Sequence, residues 1–254
     1  MERSLSDRLF SVAVLSPFGA AIAYLYYRKG VAFDSFIFGA GSWGFGCILK
    51  LVLCHGVVRR LRHDSTSILG VSALNGLVSG LTELGLALAF FAFLPVLSLW
   101  DVVAFGVGIG AIEASLVATS PNPLRDTALE KAAGELEATV GRLSGVPRFV
   151  YGYVLPFTER LIAAVVHVGT RGLVYVAYHS INPLPFGIAL AAFFFADGVI
   201  GYRLLHQGQL SDLRILNKTY LVLAVIALLV LAGFLLYWPE GGYQPSSARS
   251  LGGG

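Results

Sequence analysis

Seven apolar stretches recur along the 254-residue chain, at about 9–27, 32–54, 68–94, 99–120, 149–178, 184–205 and 219–238. An α-helix rises ~1.5 Å per residue, so each stretch is long enough to cross ~30 Å of hydrocarbon. Backbone N–H and C=O groups must be paired inside lipid, which leaves helices and closed barrels as the spanning structures. The runs are continuously apolar instead of alternating with period two, so a barrel is excluded. The expectation is an all-α, polytopic membrane bundle of about seven transmembrane helices. Only 13% of the residues are charged, about half the share that keeps the surface of a soluble domain solvated.

The 30 glycines fall mostly within these runs, where small residues let helices approach closely. Cys47 and Cys54, seven apart on one expected helix, lie about 10 Å apart along its axis. That is too far for a mutual disulfide, and both read as packing residues. The +3 net charge is small and scattered, which excludes a nucleic-acid-binding surface. Residues 1–240 read as one transmembrane domain, with 241–254 a flexible tail rich in Gly, Pro and Ser. Within the first of these, 121–148 reads as a cytoplasmic amphipathic connector. Leu124, Ala128, Leu129, Ala132, Leu136, Val140 and Leu143 recur there at helical spacing opposite charged residues. Both a surface-lying amphipathic helix and a solvated connector helix fit that pattern.

The basic residues set an expected orientation. With the N-terminus cytoplasmic, 12 Lys and Arg fall in inner segments and only Arg28, Lys29 and Arg249 in outer ones, placing the C-terminus outside. Arg3 and Arg8 ahead of the first run, with Ala21-Ile-Ala23 near its end, also resemble a cleavable signal peptide. The start at Met1 favours an uncleaved helix.

Ionisable side chains inside spans are costly, roughly 2.5–3.5 kcal/mol each on insertion scales, and so invite a function. The candidates are Lys50, Glu83, Glu113, Glu159, Arg160, His167, Arg171 and Asp197. Three cations and four acids can pair as structural ion pairs, and Lys50, Arg160, Arg171 and Asp197 are read in that role. Ser72, Asn75, Ser79 and Glu83 share one helical stripe, as do Arg160, His167 and Arg171. Helical rise puts Lys50, Glu113, Glu159, Arg160 and Asp197 in an inner layer and Glu83, His167 and Arg171 farther out.

At these residues the chain resembles the YhfC family of intramembrane metalloproteases, related to the prenyl-protease and bacteriocin-processing superfamily. Gly106-Val-Gly-Ile-Gly-Ala-Ile-Glu-Ala114 is similar to that family's glycine-rich helix. Glu159-Arg160 followed by His167 resembles a second motif, and Gly80-Leu-Thr-Glu-Leu-Gly85 a third. Phe38-Gly-Ala40 with Ile48-Leu-Lys50 is similar to its second helix. The resemblance implies an intramembrane metallopeptidase using zinc. Glu113, Glu83 and Glu159 would be catalytic, His167, Glu83 and Glu113 metal ligands, and a membrane peptide the substrate. The chain departs from the pattern where two family histidines are replaced by Ile109 and Phe193, where the second acid after Glu83 is absent, and where Leu86 stands near an arginine position.

A zinc hydrolase needs about three converging ligands and an activated water, and His167 is the only deeply placed imidazole. Three readings follow. The chain is an active peptidase, a metal-free pseudoenzyme that binds partner transmembrane helices as an assembly or accessory subunit, or a transporter or proton-coupled channel with Glu113, Glu159 and Asp197 as relay groups. Motifs of soluble enzymes are absent. Gly106-Val-Gly-Ile-Gly sits within an apolar span with no strand before it, so it is no dinucleotide fingerprint.

Overall fold

The structure is a computed structural model that describes residues 5–53, 67–94, 97–119, 138–205, 212–240 and 242. Among these, side chains 5–10, 13, 117–119, 204 and 205 are not described. Most of the 121–148 connector and nearly all of the 241–254 tail fall outside the described residues. Of the connector, 138–141 and 145–148 are helical.

The described chain is helical, with no strand: α1 (Leu5–Lys29), α2 (Phe33–Leu53), α3 (Ile68–Phe93), α4 (Leu99–Thr119), α5 (Gly145–Phe149), α6 (Leu155–Ser180), α7 (Pro183–Leu205) and α8 (Leu213–Tyr237). A π-helical turn, Val150–Val154, joins α5 to α6. Six described segments are long and apolar enough to span a membrane, counting α5, the π turn and α6 as one; the protein is an integral membrane helical bundle. Among the described residues the count is thus six, against the seven expected. The segment outside that count is α1, whose side chains are described only from Ser11 onward.

Local chemistry sets several helix ends. Ser67 caps α3 by accepting from Gly70 N at 3.1 Å, and Asp212 caps α8 by accepting from Arg214 N at 2.8 Å. Orphan amides of the first turn gain acceptors in this way. The Asp212 cap starts α8 six residues before the apolar run at 219–238, so Asn217 and Lys218 belong to the helix. Before α4, Ser98 and Asp101 form a reciprocal box: Ser98 N donates to Asp101 Oδ2 at 3.1 Å and Asp101 N donates to Ser98 Oγ at 3.2 Å.

Helix α6 is the axis of the bundle and packs against α3, α4, α7 and α8. Twelve consecutive residues, Val166 to Ala177, are buried, so protein surrounds this segment on every side. Tyr175, near its end, pins the α3–α4 connection. Its hydroxyl accepts from Leu97 N at 2.7 Å and donates to Leu97 O at 3.1 Å.

Glycine makes the closest crossings possible. A Cβ on Gly106 of α4 would stand 2.5 Å from Val168 Cα of α6, and one on Gly110 would stand 3.1 Å from Ala164 Cβ. On the opposite side of α4, a Cβ on Gly108 would meet Phe36 O of α2 at 2.2 Å. Neither helix can move away without losing a second contact, so α4 is wedged between α2 and α6.

Gly106→Ala should therefore lower the unfolding free energy by about 1–3 kcal/mol, because the clash is with backbone. Gly44→Ala, where nothing lies within 4 Å of the added methyl, should be neutral or stabilise by up to about 1 kcal/mol through helix propensity. Thermal unfolding of the two variants in the same detergent tests the contrast.

Candidate functional site

The close α4–α6 crossing carries Glu113 to the side chains of α6. Glu113 Oε1 accepts from Arg160 Nη1 at 2.9 Å, and Oε2 lies 2.8 Å from His167 Nε2. Arg160 also pairs with Glu159 through its other terminal nitrogen, and Tyr220 of α8 approaches Glu159. Arg160 and His167, seven residues apart on one helical face, therefore clamp the two oxygens of one carboxylate from α4.

A second cluster gathers α2, α3, α6 and α7. Glu83 Oε2 accepts from Arg171 Nη2 at 2.8 Å, and Glu83 Oε1 accepts from Ser79 Oγ at 3.2 Å. Arg171 Nη1 donates to Thr170 Oγ1 at 3.0 Å. Lys50 Nζ donates to Asp197 Oδ2 at 3.0 Å and to Ser79 Oγ at 2.8 Å. Ser79 also hydrogen-bonds Asp197. The Ser79 hydroxyl has one proton and two carboxylates in reach, while Lys50 approaches its lone pairs.

Phe193 lies between the clusters. Arg171 sits over its ring at 4.7 Å from the centroid, and the His167 ring is 6.1 Å away. The quadrupole of the aromatic face stabilises a guanidinium that has no water around it. Ile109, the other residue in place of a family histidine, is fully buried in the apolar core.

All eight ionisable residues singled out from the sequence thus take part, in two clusters instead of one. Glu83 does not join Glu113 and His167 but is claimed by Arg171. Lys50, Arg160, Arg171 and Asp197 are all in ion pairs. Sequence reasoning gave no role to Ser79 and Thr170. The signal for Ser79 was present, since it stands one helical turn before Glu83 and on the same stripe.

The donor set does not fit zinc. Both oxygens of Glu113 and both of Glu83 already face a cation, an imidazole or a hydroxyl, and the imidazole Nε2 is spent on Glu113. Among the oxygen and nitrogen atoms of these three candidate ligands, His167 Nδ1 alone is left without a protein partner. Among the described residues no group of three or more His, Cys, Asp or Glu side chains is arranged to hold a metal. A tetrahedral site needs its ligands to converge with lone pairs free.

Because Arg171 is fully buried, removing its partner leaves an uncompensated charge in a dry interior. Glu83→Gln and Arg171→Met should each cost about 3–5 kcal/mol of stability. The double variant should cost clearly less than the sum of the two. Unfolding of the four proteins in detergent completes the cycle, and simple additivity would mean that the pair is not coupled.

The geometry stands without a template, since comparison with family models, with curated proteins and with solved structures found no match to this chain.

Proposed function

We propose that this protein is a metal-free, catalytically inactive relative of intramembrane peptidases that serves as an assembly or accessory subunit for other transmembrane helices. One observation carries the loss of metal chemistry: the carboxylates of Glu83 and Glu113 are neutralised by Arg171 and by Arg160 with His167. A guanidinium competes for the same lone pairs that a metal would use, and it repels a divalent cation. The replacement of two family histidines by Ile109 and Phe193 points the same way.

The assembly role is supported by glycines that the bundle does not use. Gly19, Gly41, Gly44, Gly85 and Gly187 lie in helices, yet nothing stands within 4 Å of where their Cβ would be. A helical glycine costs about 0.5–1 kcal/mol relative to alanine. Close approach of a partner helix returns that cost through backbone packing.

Protein purified in detergent with zinc supplied should retain well under one equivalent of zinc and should not cleave membrane peptides. One equivalent per chain, lost in both His167→Ala and Glu113→Gln, would overturn the metal-free reading. Gly41→Leu with Gly44→Leu should leave thermal stability unchanged and convert a larger native-gel species from membranes into the free chain. Unchanged mobility would remove the assembly role.

A second reading, proton-coupled transport, draws on a chain of ionisable groups running from the partly exposed Lys50–Asp197 pair to the fully buried Arg171. It requires flux in reconstituted vesicles that Glu113→Gln abolishes.

A further inference from the structure

Exposure of the charged side chains is graded along the bundle. Arg171 and Glu83 retain 0% and 5% of their side-chain surface, and His167 retains 7%. Lys50 and Asp197 retain 25% and 24%, Glu113 26% and Glu159 31%. The wetter groups all lie toward the face where α2, α4 and α7 end.

Depth decides what surrounds them. Glu113 precedes the end of α4 at Thr119 by ~9 Å of helix, and Asp197 precedes the end of α7 at Leu205 by ~12 Å. Lys50 can snorkel outward from its place near the end of α2. The short side chains of Asp197 and Glu113 cannot reach an interface that far away. Lipid against these acids would cost roughly 2.5–3.5 kcal/mol for each.

The groups are also linked to one another: Ser79 bonds both Glu83 and Asp197, and the Phe193 ring lies against both Arg171 and His167. Lys50, Arg160 and Arg171 oppose Glu83, Glu113, Glu159 and Asp197, one acid more than the cations. On the wetter side of Arg171, two buried nitrogens, Arg160 Nε and His167 Nδ1, have no protein partner. Buried polar atoms of this kind are normally satisfied by water.

We infer that an aqueous vestibule opens between the helices at the face where α2, α4 and α7 end, admits water and small hydrophilic cations as far as the Ser79–Asp197 layer, and is closed beyond it by Arg171, Phe193 and Ile109. The closure is apolar above that level: Leu84, Ala87, Val102, Phe105, Leu173 and Val174 are each fully buried. The vestibule rests on depth and exposure, and it stands whether or not the chain assembles with partner helices.

Thiol labelling in sealed vesicles tests this. The reporters are Asn75→Cys and Gly201→Cys, which flank the α3–α7 seam and remove no ionisable group. A Cβ on Gly201 would lie 3.4 Å from Asn75 Nδ2. Ala87→Cys reports from beyond the closure. All three are made with Cys47 and Cys54 replaced by alanine and are accepted if they elute as monodisperse protein. The membrane-impermeant trimethylammonium methanethiosulfonate should modify Asn75→Cys and Gly201→Cys from one face only, several-fold faster than the sulfonate reagent. Ala87→Cys should react from neither face.

Modification from both faces, or silence of both seam reporters while the unfolded protein labels fully, would overturn the vestibule. Equal or faster reaction with the sulfonate reagent would overturn its preference for cations. Should the variants fail to fold, radiolytic hydroxyl footprinting of the unaltered chain gives an independent readout. Oxidation between Ala196 and Tyr202 is the expected result, and its absence would refute the proposal.

Discussion

A fully buried arginine in the middle of an apolar bundle is the constraint around which the rest of this protein is arranged. Arg171 cannot be deprotonated and cannot reach water. The fold must therefore supply a carboxylate, a hydroxyl and an aromatic face at one point, and it draws them from three elements: Glu83 from α3, Thr170 from α6 itself and Phe193 from α7. Each partner fixes the register of its helix against α6. A slip of one residue on α3 would rotate Glu83 by about 100° and strand two charges.

The close crossings serve the same end. Glu113 has a short reach, so α4 must come near α6 before its two oxygens can meet Arg160 and His167. The glycines at 106 and 110 permit that approach, and Gly108 lets α2 press on α4 from the other side. In turn α2 brings Lys50 to Asp197. Packing and electrostatics are coupled here: apolar contact alone would tolerate a range of helix rotations, whereas paired charges admit few.

The same framework underlies the proposed metal-free reading. In a zinc site, carboxylates and imidazoles keep lone pairs free and pointed at a common centre. Here the acids are divided between two arginine-centred clusters, with the aromatic ring of Phe193 between them. Exposure is graded across them: Arg171 and Glu83 form a dry pair, whereas Lys50, Asp197, Glu113 and Glu159 each retain about a quarter of their surface. That gradient underlies the proposed entry of water from one face.

The resemblance to intramembrane metalloproteases remains a likeness of motifs, whereas the bundle itself follows from physical chemistry. Residue type and run length alone determined that this chain is a helical membrane bundle, because lipid leaves an apolar run of twenty residues no other way to satisfy its backbone. They also singled out the ionisable residues that meet inside it, since a charge in such a run needs a partner. Among the described residues six segments meet the length and apolarity of a span, against seven apolar runs in the sequence. Pairing was not legible. Glu83, Glu113 and His167 lie on different helices, and nothing in their spacing along the chain states how those helices rotate against one another. Only the tertiary structure decided that Arg171 takes Glu83 while Arg160 and His167 take Glu113, because helix rotation is set by the glycine crossings and by side-chain packing across all neighbours at once.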